Sequence, residues 1–184
     1  MPYCDKNRLC FIHIPKNAGT SISHHLHLKR HGHYKWKTER DPRPTYTSFC
    51  VKRHPISRAL SCFTYGKLQK SFWHNKNNLH PDYNILKNRS FDECMDLLKN
   101  NKLRHHGWIP QSQWVCDNKK IQVDHVLQFE NLNKDLCKML DSLSIPYDKD
   151  LPLLNHSHAG DIECSTHAID IIKNIYLADF EIFN

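Results

Sequence analysis

The sequence predicts an α/β fold organised on a parallel sheet. Two stretches carry the prediction and a third extends it. Residues 9–14 and 45–52 are short runs rich in apolar and β-forming side chains, and each ends in a turn that opens directly into a helix start. Residues 121–129 form a third such run, followed by apolar positions at Leu132, Leu136, Met139, Leu140 and Leu143 with helical spacing. Strands that alternate with helices call for crossover connections, and crossovers give parallel neighbours.

The first element begins almost at once. Leu9-Cys10-Phe11-Ile12-His13-Ile14 is short enough for one buried strand, and Pro15 stops it. Gly19 is read as permitting a tight turn, Thr20 and Ser21 as helix starters, and residues 22–28 as the helix. Residues 29–44 are polar and basic and are broken by Gly32, Pro42 and Pro44, so they read as a long loop. The second strand, 45–52, runs into Arg53-His54-Pro55, and Pro55 suits the first turn of a helix with Ile56, Leu60 and Phe63 on its apolar stripe. Residues 66–89 are asparagine-rich and carry no clear pattern. Ser90-Phe91-Asp92-Glu93 is a capping box for a helix reaching about Asn101. Residues 151–160 read as loop, and Ser165 caps a last helix through Ile169, Ile172, Ile175 and Tyr176.

Composition sets the bounds. A chain of 184 residues with 39% hydrophobic and 24% charged content is read as one domain, 1–184, long enough to bury a core. The formal charge of +7, with 15 histidines besides, suits an anionic cofactor, an anionic acceptor or nucleic acid. The eight cysteines form no CxxC pair and read as reduced thiols. His24-His25-Leu26-His27 and His156-Ser157-His158 lack the spacing of a metal site, so no metal is expected. No apolar run reaches the roughly 18 residues of a membrane span, and the residues after Met1 do not form a signal peptide. The expected compartment is cytoplasmic, with a luminal one requiring an N-terminal anchor outside this chain.

The chemistry concentrates in two turns. Lys16-Asn17-Ala18-Gly19-Thr20-Ser21 links a strand to a helix start, a geometry that offers backbone N–H groups, a lysine charge and two hydroxyls to an anion. It is not the GxxxxGK[ST] loop of nucleotide triphosphatases, because here the lysine precedes the glycine. The second turn reads Arg53-His54-Pro55-Ile56-Ser57-Arg58-Ala59-Leu60-Ser61. Arg53 leaves its strand at the carboxyl edge, and Ser61 follows roughly two helical turns later, an arginine fork plus a hydroxyl suited to a phosphate monoester.

Pro-Lys-x-x-Gly-Thr-Ser followed by Arg-x-Pro-x-x-Arg-x-x-Ser resembles the paired cofactor motifs of sulfotransferases that use 3′-phosphoadenosine 5′-phosphosulfate. The likeness is to the carbohydrate group that includes heparan sulfate 2-O- and chondroitin/dermatan sulfotransferases. The resemblance implies a P-loop-like three-layer domain, a central parallel sheet flanked by helices. It implies that Lys16, Asn17, Ala18, Gly19, Thr20 and Ser21 hold the 5′-phosphosulfate, and that Arg53 and Ser61 hold the 3′-phosphate. Arg30-His31-Gly32-His33 is similar to the segment that carries the base in the 2-O-sulfotransferases, which makes His33 the base and His31 its support. Trp108-Ile109-Pro110-Gln111, residues 123–132, Asn155-His156-Ser157 and residues 176–180 resemble later family segments more loosely. Animal members are anchored in the Golgi; this chain shows no anchor, which suits a microbial or viral member.

The implied partner is a hydroxyl-bearing acceptor, a carbohydrate and one that can be anionic, with Lys29, Arg30, Lys35, Lys37, Arg40 and Arg43 as a basic rim or simply a wet loop. Nucleic acid is not expected. Three readings stay open beside this one. A small-molecule or nucleotide kinase needs a magnesium site and a true P-loop. A nucleic-acid-binding module needs stacking aromatics among its basic residues, and only Trp36 and Trp73 lie near lysines. An inactive family member needs neither.

Overall fold

The computed structural model describes residues 1–29, 32–36, 45–68, 79–148 and 162–183. His31, most of the basic loop, Trp73, the 151–160 loop and Asn155-His156-Ser157 lie outside the described residues. The chain divides into two compact units, one of Met1–His54, Gln111–His156 and Phe183, the other of Pro55–Pro110, Ser157–Ile182 and Asn184.

The first unit is built on a four-stranded sheet in the order β1 (Tyr3–Cys4), β2 (Leu9–Ile12), β3 (Thr47–Lys52) and β6 (His125–Gln128). β1 pairs antiparallel with β2, while β2–β3 and β3–β6 are parallel, with Ile12 opposite Cys50 and Cys50 opposite Val126. The three parallel strands therefore end at one edge. All four residues of β2 are buried, as the continuous apolar run requires of a strand covered on both faces. Helices α1 (Gly19–His25) and α6 (Leu132–Ser142) pack one face, where Ile22, Leu26, Leu136, Met139 and Leu140 meet Leu9, Phe11, Phe49, Val51 and Leu127. The architecture is thus mixed α/β, with a central, mostly parallel sheet flanked by helices.

Two sequence expectations change here. The run 121–129 is not one strand. Cys116–Asp117 (β4) and Lys120–Ile121 (β5) pair as a hairpin beside the short helix α5 (Ser112–Val115), and only His125–Gln128 joins the main sheet. The hairpin turns on Asn118 and Lys119, both with positive φ (47° and 62°), the backbone that a two-residue hairpin loop demands. Asp124 then interrupts the apolar run for a reason. Its Oδ2 accepts from the backbone N–H and the hydroxyl of Ser48, each at 2.7 Å, pinning the start of β6 to β3. Burial works to raise that carboxyl, and the bonds from Ser48 outweigh it and hold the group below the ordinary aspartate range. The first helix also starts earlier than expected, at Gly19, and ends at His25, with His27 in the left-handed region at φ 48°.

Among the described residues the second unit is helical: α2 (Pro55–Gly66), α3 (Tyr83–Leu86), α4 (Phe91–Lys99), α7 (Thr166–Ile175) and α8 (Leu177–Ile182), with a 3-10 turn at His106–Trp108. Pro55 opens α2, the Ser90–Glu93 capping box opens α4, and Ser165 accepts from the Ala168 N–H to open α7, as the sequence predicts. Ala59, Phe63, Phe91, Met95, Leu98, Ile171, Ile172 and Tyr176 form its core. Asp82 is fully buried and accepts from Arg104 N, His105 N and the Trp108 indole, so its charge is met by three donors. The eight cysteines form no disulfide, five of them are buried, and burial pushes Cys50 and Cys94 well above the usual thiol range.

Candidate active site

Lys16 (φ 69°) and Ala18 (φ 58°) both adopt left-handed backbone, and Ala18 is followed by the helical Gly19. A left-handed residue followed by a right-handed one turns successive N–H groups toward one point, the geometry of an anion nest. The first bond that opens α1 runs from Ile22 N to Ala18 O, which places the Gly19 and Thr20 N–H groups ahead of the helix ladder. No side chain caps this end, so Thr20 and Ser21 are not caps; Ala18 occupies the cap position. Thr20 is half-buried and Ser21 buried, at 4% exposure.

The glycine is needed for a different reason from the one the sequence suggests. Gly19 does not have positive φ. Its α-carbon lies under the His13 ring, and a β-carbon there would sit 1.7 Å from Nε2 and 2.0 Å from Cδ2. The ring cannot swing away cheaply. It stacks on Phe11 at 5.4 Å between centroids and meets the His33 ring at 4.0 Å. Gly19→Ala is therefore expected to cost about 1–3 kcal/mol of stability, the usual range for overpacking, and to lower turnover by displacing both histidines. Denaturant unfolding of the variant checks this, and wild-type stability would show that the ring moves freely.

His33 arrives at the same edge. Its Nδ1 lies 2.9 Å from the backbone carbonyl of His13. A carbonyl can only accept, so Nδ1 carries the proton and, in the neutral ring, Nε2 bears the lone pair. The following segment is tied down by a bond from Trp36 N to Trp114 O at 2.7 Å. Of the basic rim, Lys29 pairs with Asp5 at 2.8 Å and the Lys35 ammonium lies 6.0 Å from the Trp114 ring centre.

At the end of β3, Arg53 donates from Nη1 to the carbonyl of Lys16 at 3.0 Å, and its guanidinium lies over the Phe129 ring at 4.0 Å. His54 N donates to Glu130 at 2.9 Å. The two turns singled out by sequence thus meet at the carboxyl edge of the parallel strands, where ligands bind in open α/β sheets. Asn17 turns inward: fully buried, it donates from Nδ2 to Val51 O at 2.6 Å and to Gln111 Oε1 at 2.7 Å. Its side chain holds the loop against β3 and Gln111. Ser61 is buried on α2, in the second unit. Arg58, three residues before it, is 2% exposed and donates to the carbonyls of Gly107 and Ile109 at 2.7 and 2.9 Å, so that arginine braces the helical unit. Neither His13 nor Gln111 is assigned a role from sequence. No group of three histidines, cysteines or carboxylates among the described residues is placed to hold a metal ion.

The family model for the sulfotransferase family matches residues 1–184. The chain belongs to the sulfotransferase family. This membership makes it a transferase acting on sulfuryl groups with a hydroxyl-bearing acceptor, and it favours that reading over the kinase and nucleic-acid readings. No curated protein and no solved structure matches it. No helix of this sulfotransferase, among the described residues, is long and apolar enough to cross a membrane.

Proposed function

We propose that this sulfotransferase moves the sulfuryl group of 3′-phosphoadenosine 5′-phosphosulfate to a carbohydrate hydroxyl, in the manner of the 2-O-sulfotransferases, and that residues 1–184 make up one P-loop-like three-layer catalytic domain. The observation that carries the proposal is the 3.0 Å bond from Arg53 to the Lys16 carbonyl. It brings Arg53 against the Lys16 loop, the two places proposed to hold the phosphates, and it uses one of the five N–H donors of the guanidinium. A donor with a phosphate at each end of one ribose suits two such turns side by side.

In the proposed reaction the acceptor oxygen attacks sulfur in line as the bond from sulfur to the bridging oxygen breaks. His33 Nε2 takes the hydroxyl proton, and 3′,5′-adenosine bisphosphate leaves with the electron pair. Lys16 and the N–H groups of Gly19 and Thr20 stabilise the negative charge that grows on the bridging oxygen and phosphate. Asn17, Ala18, Gly19, Thr20 and Ser21 complete the 5′ cradle, and Arg53 reads the 3′-phosphate. Ser61 is assigned to the same phosphate on its motif alone, and His31 is assigned as support for His33 on the same footing.

Calorimetry tests the donor assignment. The wild-type protein should bind 3′,5′-adenosine bisphosphate well ahead of 5′-AMP. Arg53→Ala should lose roughly ten- to a hundredfold in bisphosphate affinity, the worth of one charge-assisted phosphate contact, and much less for 5′-AMP. Equal affinity of the wild type for both nucleotides would remove the basis of the assignment.

A further inference from the structure

Gln111 lies 58 residues from Arg53 and 94 from Asn17 in sequence, yet its side-chain amide joins both. It is 1% exposed. Its Oε1 accepts from the Arg53 backbone N–H at 2.9 Å, and its Nε2 donates to the Arg53 carbonyl at 2.8 Å. β3 ends at Lys52, so Arg53 stands one residue beyond the ladder. The amide gives Arg53 the pair of main-chain bonds that a neighbouring strand would have supplied. The same Oε1 accepts from Asn17 Nδ2 at 2.7 Å, inside the lysine loop. Asn17 Nδ2 also donates to Val51 O, which ties that loop back to β3.

We infer that Gln111 is a positioning residue that fixes the span between the lysine loop and Arg53, and through that span selects a donor phosphorylated at both the 3′ and 5′ positions. The inference rests on the donor reading given above. A ligand with two phosphates on one ribose gains from both anion sites only if the sites already stand at its own spacing. Otherwise the second contact must first offset the cost of ordering Arg53. A ligand with one phosphate needs no such match. Removing the amide also takes a bonding partner from the part-buried Arg53 N–H and carbonyl, and one acceptor from the fully buried Asn17 amide.

The test is a binding cycle on full-length protein with wild type, Gln111→Leu, Arg53→Ala and the double variant. Each is titrated with 3′,5′-adenosine bisphosphate and with 5′-AMP, and each is melted in parallel. Gln111→Leu should lower bisphosphate affinity about tenfold or more and 5′-AMP affinity by less than about threefold, so discrimination collapses. In the Gln111→Leu background, Arg53→Ala should cost less than about threefold further, because Gln111 acts through Arg53. Under turnover, KM for the donor should rise more than kcat falls. A folded Gln111→Leu protein that keeps wild-type discrimination, or a double variant whose losses simply add, overturns the inference. Gln111→Glu covers the case in which leucine prevents folding. It keeps the acceptor and loses the donor to Arg53 O, so it should lose discrimination in part, and full retention overturns the inference equally. If the wild type itself does not distinguish the two nucleotides, the donor reading fails and takes this inference with it. If the wild type distinguishes them and the Gln111 variants do so equally well, only the role of Gln111 falls.

Discussion

Replacing His33 with alanine is expected to slow single-turnover sulfuryl transfer by roughly 10²–10⁴-fold while leaving 3′,5′-adenosine bisphosphate affinity nearly intact. The size follows from the role. A positioned base contributes only where the acceptor's proton moves, and nothing in the binding of the leaving nucleotide needs it. The geometry favours this histidine because the His13 carbonyl, 2.9 Å from Nδ1, fixes the tautomer with the lone pair on Nε2. The ring must be neutral to act, so turnover should fall on the acid side as it takes up a proton. The His33 ring also touches His13, which covers Gly19, so the bisphosphate titration doubles as a check that the loop is whole. Turnover near the wild-type rate in His33→Ala would sink the assignment and send the search for a base to His31, then to His105 and His106.

The contrast between His33 and Gln111 shows how far the sequence could be read. The starts of α2, α4 and α7 were legible because each is written in a few adjacent residues. Pro55 at a first turn, Ser90 with Glu93 three residues on, and Ser165 before Thr166 all satisfy local donors or avoid creating them. The parallel order of β2, β3 and β6 was legible because each strand feeds a helix. The run 121–129 was misread because hydrophobicity alone does not show that Asn118 and Lys119 adopt positive φ, or that Asp124 must reach Ser48. That information lies in partners 76 residues away in the chain.

The site divides along the same line. Lys16 and Arg53 announce themselves through residue types spaced along a single turn. His13 and Gln111 carry no local signature. One lies over a glycine and beside a second histidine; the other mimics a strand for a residue 58 positions away. Gly19 was singled out for a tight turn, and the structure gives its missing side chain another reason. A glycine in a turn suggests backbone freedom, whereas here the missing side chain makes room for a ring. The one signal that pointed toward Gln111 was its place directly after Trp108-Ile109-Pro110, in a segment that resembles the family, although nothing in that pattern says what the amide bonds to.

Lys16→Ala should weaken donor binding and turnover together, by about 10²–10³-fold in kcat/KM. The expectation differs from that for His33 because, in the proposed reaction, the ammonium would act on charge present in both the bound donor and the transition state, with more of it in the latter. The main chain at residue 16 has its own supports. Its carbonyl accepts from Arg53 at 3.0 Å, and Asn17 beside it is held by Val51 and Gln111. Alanine replaces lysine at the same left-handed φ of 69° without adding a β-carbon, since lysine already carries one, so the loop should keep its shape. What goes is a point charge beside an anion, and its loss should also flatten the salt dependence of bisphosphate binding. Lys16→Arg restores the charge on a different shape. It should recover binding more than turnover, because the planar fork does not place its charge where the ammonium did. Titration of both variants with 3′,5′-adenosine bisphosphate at two salt concentrations, beside single-turnover transfer, reads each effect separately. A Lys16→Ala protein that binds the bisphosphate as tightly as wild type would detach the lysine from the phosphosulfate. A protein that binds weakly yet turns over normally at saturating donor would make it a binding group alone.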